Sequence, residues 1–283
     1  MRIIHDLNES ISLEHGDARD PVWVYRYGGL PKPCFHPIRT PAGNVLTNYE
    51  PFDHPWHRGL WFTLKFVGDD NFWEEHEPYG TQQTTTPPMI AIDGQGGISL
   101  RSAVDWVRPS GAVAIKEIRN VAFREREADG FVFDWDVTLV MQETMKLDRT
   151  PFTTWGGYGG LVIRGTRNWK NTRFLTAEGE KREKMRAETS PWCDLAGELD
   201  GGLKSTGGFA IFDHPQNVRH PTPWYGHPPD VNFLNAAFLF NEGLDVKQGQ
   251  SLRLRYRVLL HDGMWEADRL QSVFDAYCRN PPA

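Results

Sequence analysis

The chain has 283 residues and a formal net charge of −6, from 31 Lys and Arg against 37 Asp and Glu. It contains no apolar run of the ~18 residues that would cross a membrane, and its first ten residues lack the apolar core of a secretory signal. Nucleic acid is not expected as the main partner of a mildly acidic chain that has no basic run. The three cysteines, Cys34, Cys193 and Cys278, are far apart, which favours a reducing, cytoplasmic location.

Tryptophan is frequent in this chain, with 11 Trp beside 27 Gly and 20 Pro. Such a composition is typical of short strands joined by tight turns. Sugars bind proteins by stacking their C–H faces on aromatic rings, but tryptophan also fills the core of a β-sheet protein. Composition alone therefore leaves both interpretations open.

Four segments alternate apolar and polar residues, a pattern typical of half-buried antiparallel strands. In chain order their apolar faces are Leu60, Phe62, Leu64 and Phe66; Ile98, Leu100, Val104 and Trp106, interrupted by Ser102; Phe131, Phe133, Trp135, Val137, Leu139 and Met141; and Leu252, Leu254, Tyr256, Val258 and Leu260.

Helical spacing is clear only near the end of the chain. Residues 264–279 place Leu270, Val273, Phe274 and Tyr277 on one stripe, and two prolines at 281 and 282 prevent continuation. The charged residues 178–187 fit a shorter helix or a solvated loop equally well. We therefore predict one all-β domain over residues 1–283, a large antiparallel β-sandwich closed by a C-terminal helix.

Histidines within three residues of a proline are the most informative feature for function. They lie in three segments of the chain, each with acidic, basic or aromatic neighbours. Proline stiffens a loop, and a stiff loop holds an imidazole in place for proton transfer or ligand binding. The histidines concerned are His36, His54, His57, His214, His220 and His227.

The neighbours of these histidines suggest individual roles. Asp53 and Asp213 can orient an imidazole, and Arg58 and Arg219 can hold an oxygen that gains negative charge. Trp61, Trp73 and Trp224 are the predicted floor on which a sugar stacks.

Metal binding stays open at this point. A divalent ion, if present, is expected among His36, His54, His57, His214 and His220, but the same imidazoles fit metal-free acid–base chemistry. A nucleotide cofactor is not expected, because the chain has no P-loop and its glycine-rich segment 156–160 runs into an apolar strand pattern rather than a helix.

These same segments resemble a known bacterial family, DUF6807, also called PmoA-like. The resemblance runs from about residue 30 to the end. Trp56 departs from it, since many members have histidine there. The alias borrows the name of a methane-oxidising membrane subunit, an activity that a chain without a membrane span excludes. The segments that carry the resemblance are residues 35–43, 53–62, 70–73, 210–222 and 252–263.

The resemblance implies a fold and a class of ligand. It implies a sandwich like that of galactose mutarotases, with a sugar bound in a groove on the concave sheet and His and carboxylate groups as acid and base. It also implies a sugar oxidoreductase acting in the same pathway as a possible partner. The inference from fold to function is an analogy.

Together these observations predict a cytoplasmic, carbohydrate-active enzyme that acts on a sugar or an oxidised (keto-) glycoside as a lyase, hydrolase or epimerase. We expect the catalytic groups to be Asp53, His54, His57, Arg58, His214 and His220. We expect the substrate-binding groups to be His36, Trp61, Trp73, Asp213, Arg219, Trp224 and His227. The alternatives are a non-catalytic carbohydrate-binding protein and a partner subunit of a sugar-processing complex. The enzymatic prediction assumes that these imidazoles share one groove floored by indole rings.

Overall fold

A computed structural model of the chain describes residues 1–15, 20–126, 130–150, 157–200, 205–227 and 231–279. Gly156 of the glycine-rich segment and the two prolines at 281 and 282 lie outside these residues. The strands are β1 (Arg2–Asp6), β2 (Ser10–Glu14), β3 (Trp23–Arg26), β4 (Cys34–Ile38), β5 (Leu60–Thr63), β6 (Phe66–Val67), β7 (Asp70–Asn71), β8 (Thr81–Thr84), β9 (Met89–Ile92), β10 (Ile98–Val107), β11 (Val113–Arg126), β12 (Gly130–Met141), β13 (Met145–Asp148), β14 (Gly160–Arg164), β15 (Lys170–Thr176), β16 (Gly179–Lys181), β17 (Met185–Thr189), β18 (Trp192–Glu198), β19 (Thr206–Asp213), β20 (Pro223–His227), β21 (Phe233–Ala236), β22 (Leu244–Val246) and β23 (Ser251–Asp262), and the helix is α1 (Ala267–Arg279).

Two large antiparallel sheets form the body of the molecule. The nine-stranded sheet has the order β1-β2-β3-β4-β5-β14-β21-β20-β17. The ten-stranded sheet has the order β16-β15-β18-β19-β23-β12-β11-β10-β8, with β9 also paired to β10. A small sheet, β22-β13-β6-β7, stands beside them. The predicted fold class, an antiparallel β-sandwich with a C-terminal helix, is confirmed.

Side-chain alternation along the strands sorts the apolar residues into a central core and two outer layers. In β12, Phe133 and Trp135 belong to the central core, whereas Val132 belongs to the layer under α1. In the nine-stranded sheet, Leu60 faces the core, whereas Trp61 faces a separate outer cluster. Successive residues of a strand point to opposite faces, so the core lies between the sheets and each sheet has its own outer layer.

The predicted strand faces are mostly where the pattern put them. All the apolar residues named for β10, β12 and β23 lie in the central core. Ser102, the exception in β10, is buried and hydrogen-bonds with the Tyr25 hydroxyl at 3.3 Å. The first pattern was too long, because β5 ends at Thr63 and Phe66 begins β6 of the small sheet.

The helix predictions had mixed outcomes. The C-terminal helix is present, and it buries Leu270, Val273 and Tyr277 as expected. The short helix considered over residues 178–187 is not formed; that segment contains β16 and the start of β17. No helix among the described residues is long and apolar enough to cross a membrane.

Candidate functional site

The candidate site is a cavity of about 460 Å³ on the outer face of the nine-stranded sheet. Its lining combines aromatic rings, three imidazoles, one carboxylate and one lysine. It is lined by His54, Trp56, His57, Trp73, Glu74, Tyr158, Lys184, Tyr225, His227, Val231 and Phe233. A second cavity, of about 520 Å³, is lined by neutral groups such as Thr81, Gln83 and Thr84, without a carboxylate or imidazole. We therefore take the histidine-lined cavity of about 460 Å³ as the candidate functional site.

His54 and His57 enter the cavity from the loop that precedes β5. A turn closed by the His57 N–H donating to the His54 carbonyl oxygen, at 2.9 Å, brings the two rings face to face with their centroids 4.6 Å apart. Gly59 then adopts a φ of 79°, and a Cβ there would lie 2.5 Å from the Phe35 carbonyl oxygen. The loop geometry therefore requires glycine before the strand begins.

Arg164, at the end of β14, lies beneath these histidines and contacts His57 and Asp53. Its side chain is fully buried. It donates from Nη1 to His57 Nδ1 at 3.1 Å and from Nη2 to Asp53 Oδ2 at 2.9 Å. Burial, with the adjacent guanidinium, holds the pKa of His57 well below its ordinary value, so this ring is neutral. Because Nδ1 accepts a hydrogen bond, the proton of His57 is on Nε2.

His54 lies beside an ionised carboxylate. Its Nδ1 is buried and 3.1 Å from Asp53 Oδ2, at ion-pair distance. Burial alone would raise the pKa of Asp53, but hydrogen bonding, above all from Arg164, outweighs it and holds that pKa below its ordinary value. The carboxylate is therefore ionised and faces the Nδ1 edge of His54. The ring is 40% exposed, so a ligand has access to it.

Glu74 supplies the carboxylate of the cavity. It accepts a hydrogen bond from the Tyr158 hydroxyl at 3.1 Å and pairs with Lys65. Burial would raise the pKa of Glu74, but the Lys65 contact outweighs it and lowers that pKa, so the group is ionised. Trp73 precedes it, with its ring centroid 4.6 Å from that of Tyr158.

Tyr225 and His227 form the opposite wall, on β20. The tyrosine hydroxyl and Nε2 of His227 are 2.8 Å apart. Burial, followed by the charges of Lys184 and Arg186, lowers the pKa of His227 to about 4. Burial raises the pKa of Tyr225 to about 12. Near neutral pH both groups are therefore uncharged hydrogen-bonding partners.

Four of the residues singled out in the sequence line this cavity: His54, His57, Trp73 and His227. Asp53 stands behind His54, as described. Trp61 is fully buried beneath, with its ring centroid 5.3 Å from that of His57, so it supports the wall rather than forming the floor.

Arg58, His36 and Trp224 are placed elsewhere. Arg58 pairs with Glu50 and Glu75 and is almost fully buried. His36 is hydrogen-bonded through Nδ1 to the Thr47 hydroxyl at 2.9 Å, and burial lowers its pKa to about 4. Trp224 lies in the central core and donates from Nε1 to the Ser190 carbonyl oxygen at 2.9 Å. None of the three lines the cavity, so the placement expected for them is wrong.

The second histidine segment is also separate from the cavity. Asp213, at the end of β19, binds Nδ1 of His220 at 2.7 Å. The ring of His220 stacks on Phe274 of α1, and the ring of His214 contacts Tyr277 of α1 at 5.3 Å between centroids. This group lies beside the helix that covers the outer face of the ten-stranded sheet.

Arg219 of this segment is engaged with the backbone. It donates to the carbonyl oxygens of Phe238, Glu242 and Gly243 at 2.7–2.9 Å. The expectation that all the imidazoles share one groove is therefore wrong, and His214 and His220 are not partners of His54 and His57 in one site. Among the described residues, no group of three or more His, Cys, Asp or Glu side chains is placed to hold a metal ion.

Several residues that line the cavity or support it were not anticipated from the sequence: Trp56, Glu74, Tyr158, Arg164, Lys184, Tyr225 and Phe233. Two of them left a usable signal. Tyr225 and His227 alternate along one strand and so share a face. Arg164 ends an otherwise apolar strand, and a charge there needs a partner.

Comparison with known proteins identifies the family of this chain. Residues 10–275 match the model of DUF6807, a family of unknown function, and the chain belongs to that family. None of the curated proteins compared with it matches. Among solved structures, the chain is similar to a galactose mutarotase related enzyme from Lactobacillus acidophilus. The two are 11% identical, with a TM-score of 0.39 over 94% of this chain and 98% of that one.

Proposed function

We propose that the cavity binds a sugar or an oxidised glycoside and that the protein transforms it by acid–base chemistry, with His54 as the proton acceptor. The observation that supports this most strongly is the Asp53–His54 pair at the mouth of an aromatic-lined cavity. In this proposal Asp53 accepts a hydrogen bond from Nδ1 of His54 when a substrate is bound, and Nε2 then carries the lone pair that a general base requires.

Aromatic rings provide the binding surface in this proposal. Trp56 and Tyr158 are partly exposed and can stack on the C–H groups of a sugar ring. Trp73, Tyr225 and Phe233 are buried and form the apolar wall behind them. Glu74, Tyr225 and His227 add hydrogen-bonding groups for hydroxyls. A site that mixes apolar faces with a few fixed polar groups is typical of small-molecule pockets.

The proposed step is removal of a proton from the carbon next to a carbonyl group. Nε2 of His54 takes the proton, and the electron pair of the C–H bond moves toward the carbonyl oxygen. His57 donates its Nε2–H to that oxygen and stabilises the negative charge that develops there. Epimerisation and elimination of a keto-glycoside share this step. They differ in whether the proton returns or the leaving group departs.

The test follows deuterium uptake next to the carbonyl of a 3-keto-glucoside by proton NMR in D₂O. The wild-type protein should catalyse the exchange. His54→Gln should slow it by about 10²–10⁴-fold, the usual contribution of a general base, while sugar binding persists. Trp73→Ala should weaken binding itself.

His220→Gln, beside α1, is the matched control and should exchange at the wild-type rate. Full activity in His54→Gln would remove that residue from the mechanism. Tight sugar binding without exchange or turnover of any sugar would favour a non-catalytic carbohydrate-binding protein, because neutral imidazoles and aromatic rings also serve binding alone. The cytoplasmic location, the single domain and an oxidoreductase acting in the same pathway remain predictions.

A further inference from the structure

The carboxylates beside the cavity are already engaged within the protein. Each carboxylate at the site already has a cationic partner: Glu74 pairs with Lys65, and Asp53 pairs with Arg164. Arg167 adds a second cation on Asp53. The molecule as a whole is acidic, with a net charge of −6, so an excess of positive charge here does not follow from composition.

Two further cations stand at the edge of the same cavity, where β17 ends the nine-stranded sheet. Lys184 is part of the lining. Arg186 is the cross-strand partner of Tyr225, so both side chains point to the outer face of the sheet. Both cations are exposed and open to a ligand.

Neither side chain forms an ion pair among the described residues, although the backbone N–H of Arg186 donates to the Glu188 carboxylate. The neighbouring cations differ in this respect, since Lys181 pairs with Glu188 and Arg182 with Glu180. Burial is the main cause that lowers the pKa of His227, and the nearby charges of Lys184 and Arg186 lower it further. Exposed cations without an ion-pair partner at the edge of a cavity attract a bound anion.

We infer that the substrate of this site is a sugar that bears an anionic group, a carboxylate or a phosphate, held by Lys184 and Arg186 at the β17 edge. This inference rests on the proposed function, because it assigns a substrate class to the same cavity. The sugar ring lies on the aromatic wall, and the anionic group projects toward β17. A neutral sugar would leave both cations without a partner.

The test compares binding of matched neutral and anionic sugars by titration calorimetry at low ionic strength. The probes are methyl glycosides and the corresponding methyl uronides in the gluco, galacto and manno configurations, with the three 6-phosphates as a separate arm. At least one anionic arm should bind about tenfold more tightly than its neutral counterpart. The larger gain in affinity, in the uronides or in the 6-phosphates, shows whether the anionic group of the substrate is a carboxylate or a phosphate.

Two double variants with the same change in net charge locate the effect. Lys184→Gln with Arg186→Gln should abolish the preference for the anionic sugar over its neutral counterpart. Arg101→Gln with Lys116→Gln removes two exposed cations from the ten-stranded sheet and should keep the preference. Added salt should shrink the preference, because it screens exposed charges.

The outcomes separate the two proposals. Equal binding of neutral and anionic sugars by the wild-type protein would overturn the inference and leave the sugar cavity standing. A preference that survives in the Lys184 and Arg186 double variant would also overturn it. Absence of binding to every probe would refute the proposed function itself, and the substrate class with it.

Discussion

Arg164 is the residue on which the two imidazoles of the cavity depend. A guanidinium has only donors, so the His57 nitrogen that meets it has to accept, and the Asp53 carboxylate that meets it has to stay ionised. His57 then offers an N–H to the cavity, whereas His54 lies beside the ionised carboxylate of Asp53. One buried cation therefore makes two stacked histidines chemically different.

Replacing Arg164 should be far more damaging than replacing Arg167, although both bind Asp53. Arg164 is fully buried, whereas the side chain of Arg167 is 39% exposed. Removing one partner of a buried ion pair costs about 3–5 kcal/mol, and an exposed pair contributes about 0–1 kcal/mol. We expect Arg164→Met to lower the free energy of unfolding in urea by about 3 kcal/mol, and Arg167→Gln by less than about 1 kcal/mol. Equal losses would show that Arg164 does not hold the loop.

At the scale of elements, alternation along a strand could be read from the sequence, but the position of a loop in space could not. Phe133 and Trp135 were assigned to a core face correctly, because the alternation of apolar and polar residues indicates which face of the strand is buried. Four residues, Phe-Asp-His-Pro, occur before β5 and again at the end of β19. Nothing local to either copy specifies which sheet its strand joins, since that depends on pairings with distant strands.

The cavity residues illustrate the same limit. His54 and His57 were found because they are close in sequence and share a stiff loop. Arg164 is 107 residues away from His57, and the contact exists only because β14 pairs with β5. His214 and His220 looked equivalent to His54 and His57 by composition, yet their strand lies in the other sheet.

Helix α1 should stabilise the fold without contributing to the cavity. Leu270 is fully buried in the layer between α1 and the outer face of the ten-stranded sheet, together with Phe212 and Leu259. Leu270→Ala leaves a void there and should lower the free energy of unfolding by about 2–4 kcal/mol. Below the unfolding transition the variant should bind sugar as the wild type does. A selective loss of sugar affinity in a folded variant would contradict the separation of the two faces.

At the scale of the whole molecule, the sandwich holds several histidines in their neutral form on different faces. Burial lowers the pKa of His36, His214 and His227 to about 4, and that of His57 well below its ordinary value. In the unfolded chain these groups titrate near 6.5. Between the two values the unfolded chain takes up protons that the folded protein excludes.

This difference predicts how stability depends on pH. Because the unfolded state binds more protons below pH 6.5, the stabilisation is fully present above that value and is lost as the pH falls toward 4. From pH 7 to 5 most carboxylates are still ionised in both states, so the histidines dominate the change in stability. We expect the free energy of unfolding to fall by roughly 3 kcal/mol over this range, after allowing for the partial exposure of the rings. Denaturant unfolding at pH 7, 6 and 5 measures this fall.

His36→Gln should flatten the dependence of stability on pH, whereas His15→Gln, at an exposed histidine, should leave that dependence as in the wild type. A stability that stays constant from pH 7 to 5 would mean that the folded protein accepts these protons, and the neutral imidazoles assigned to the cavity wall would then be wrong as well.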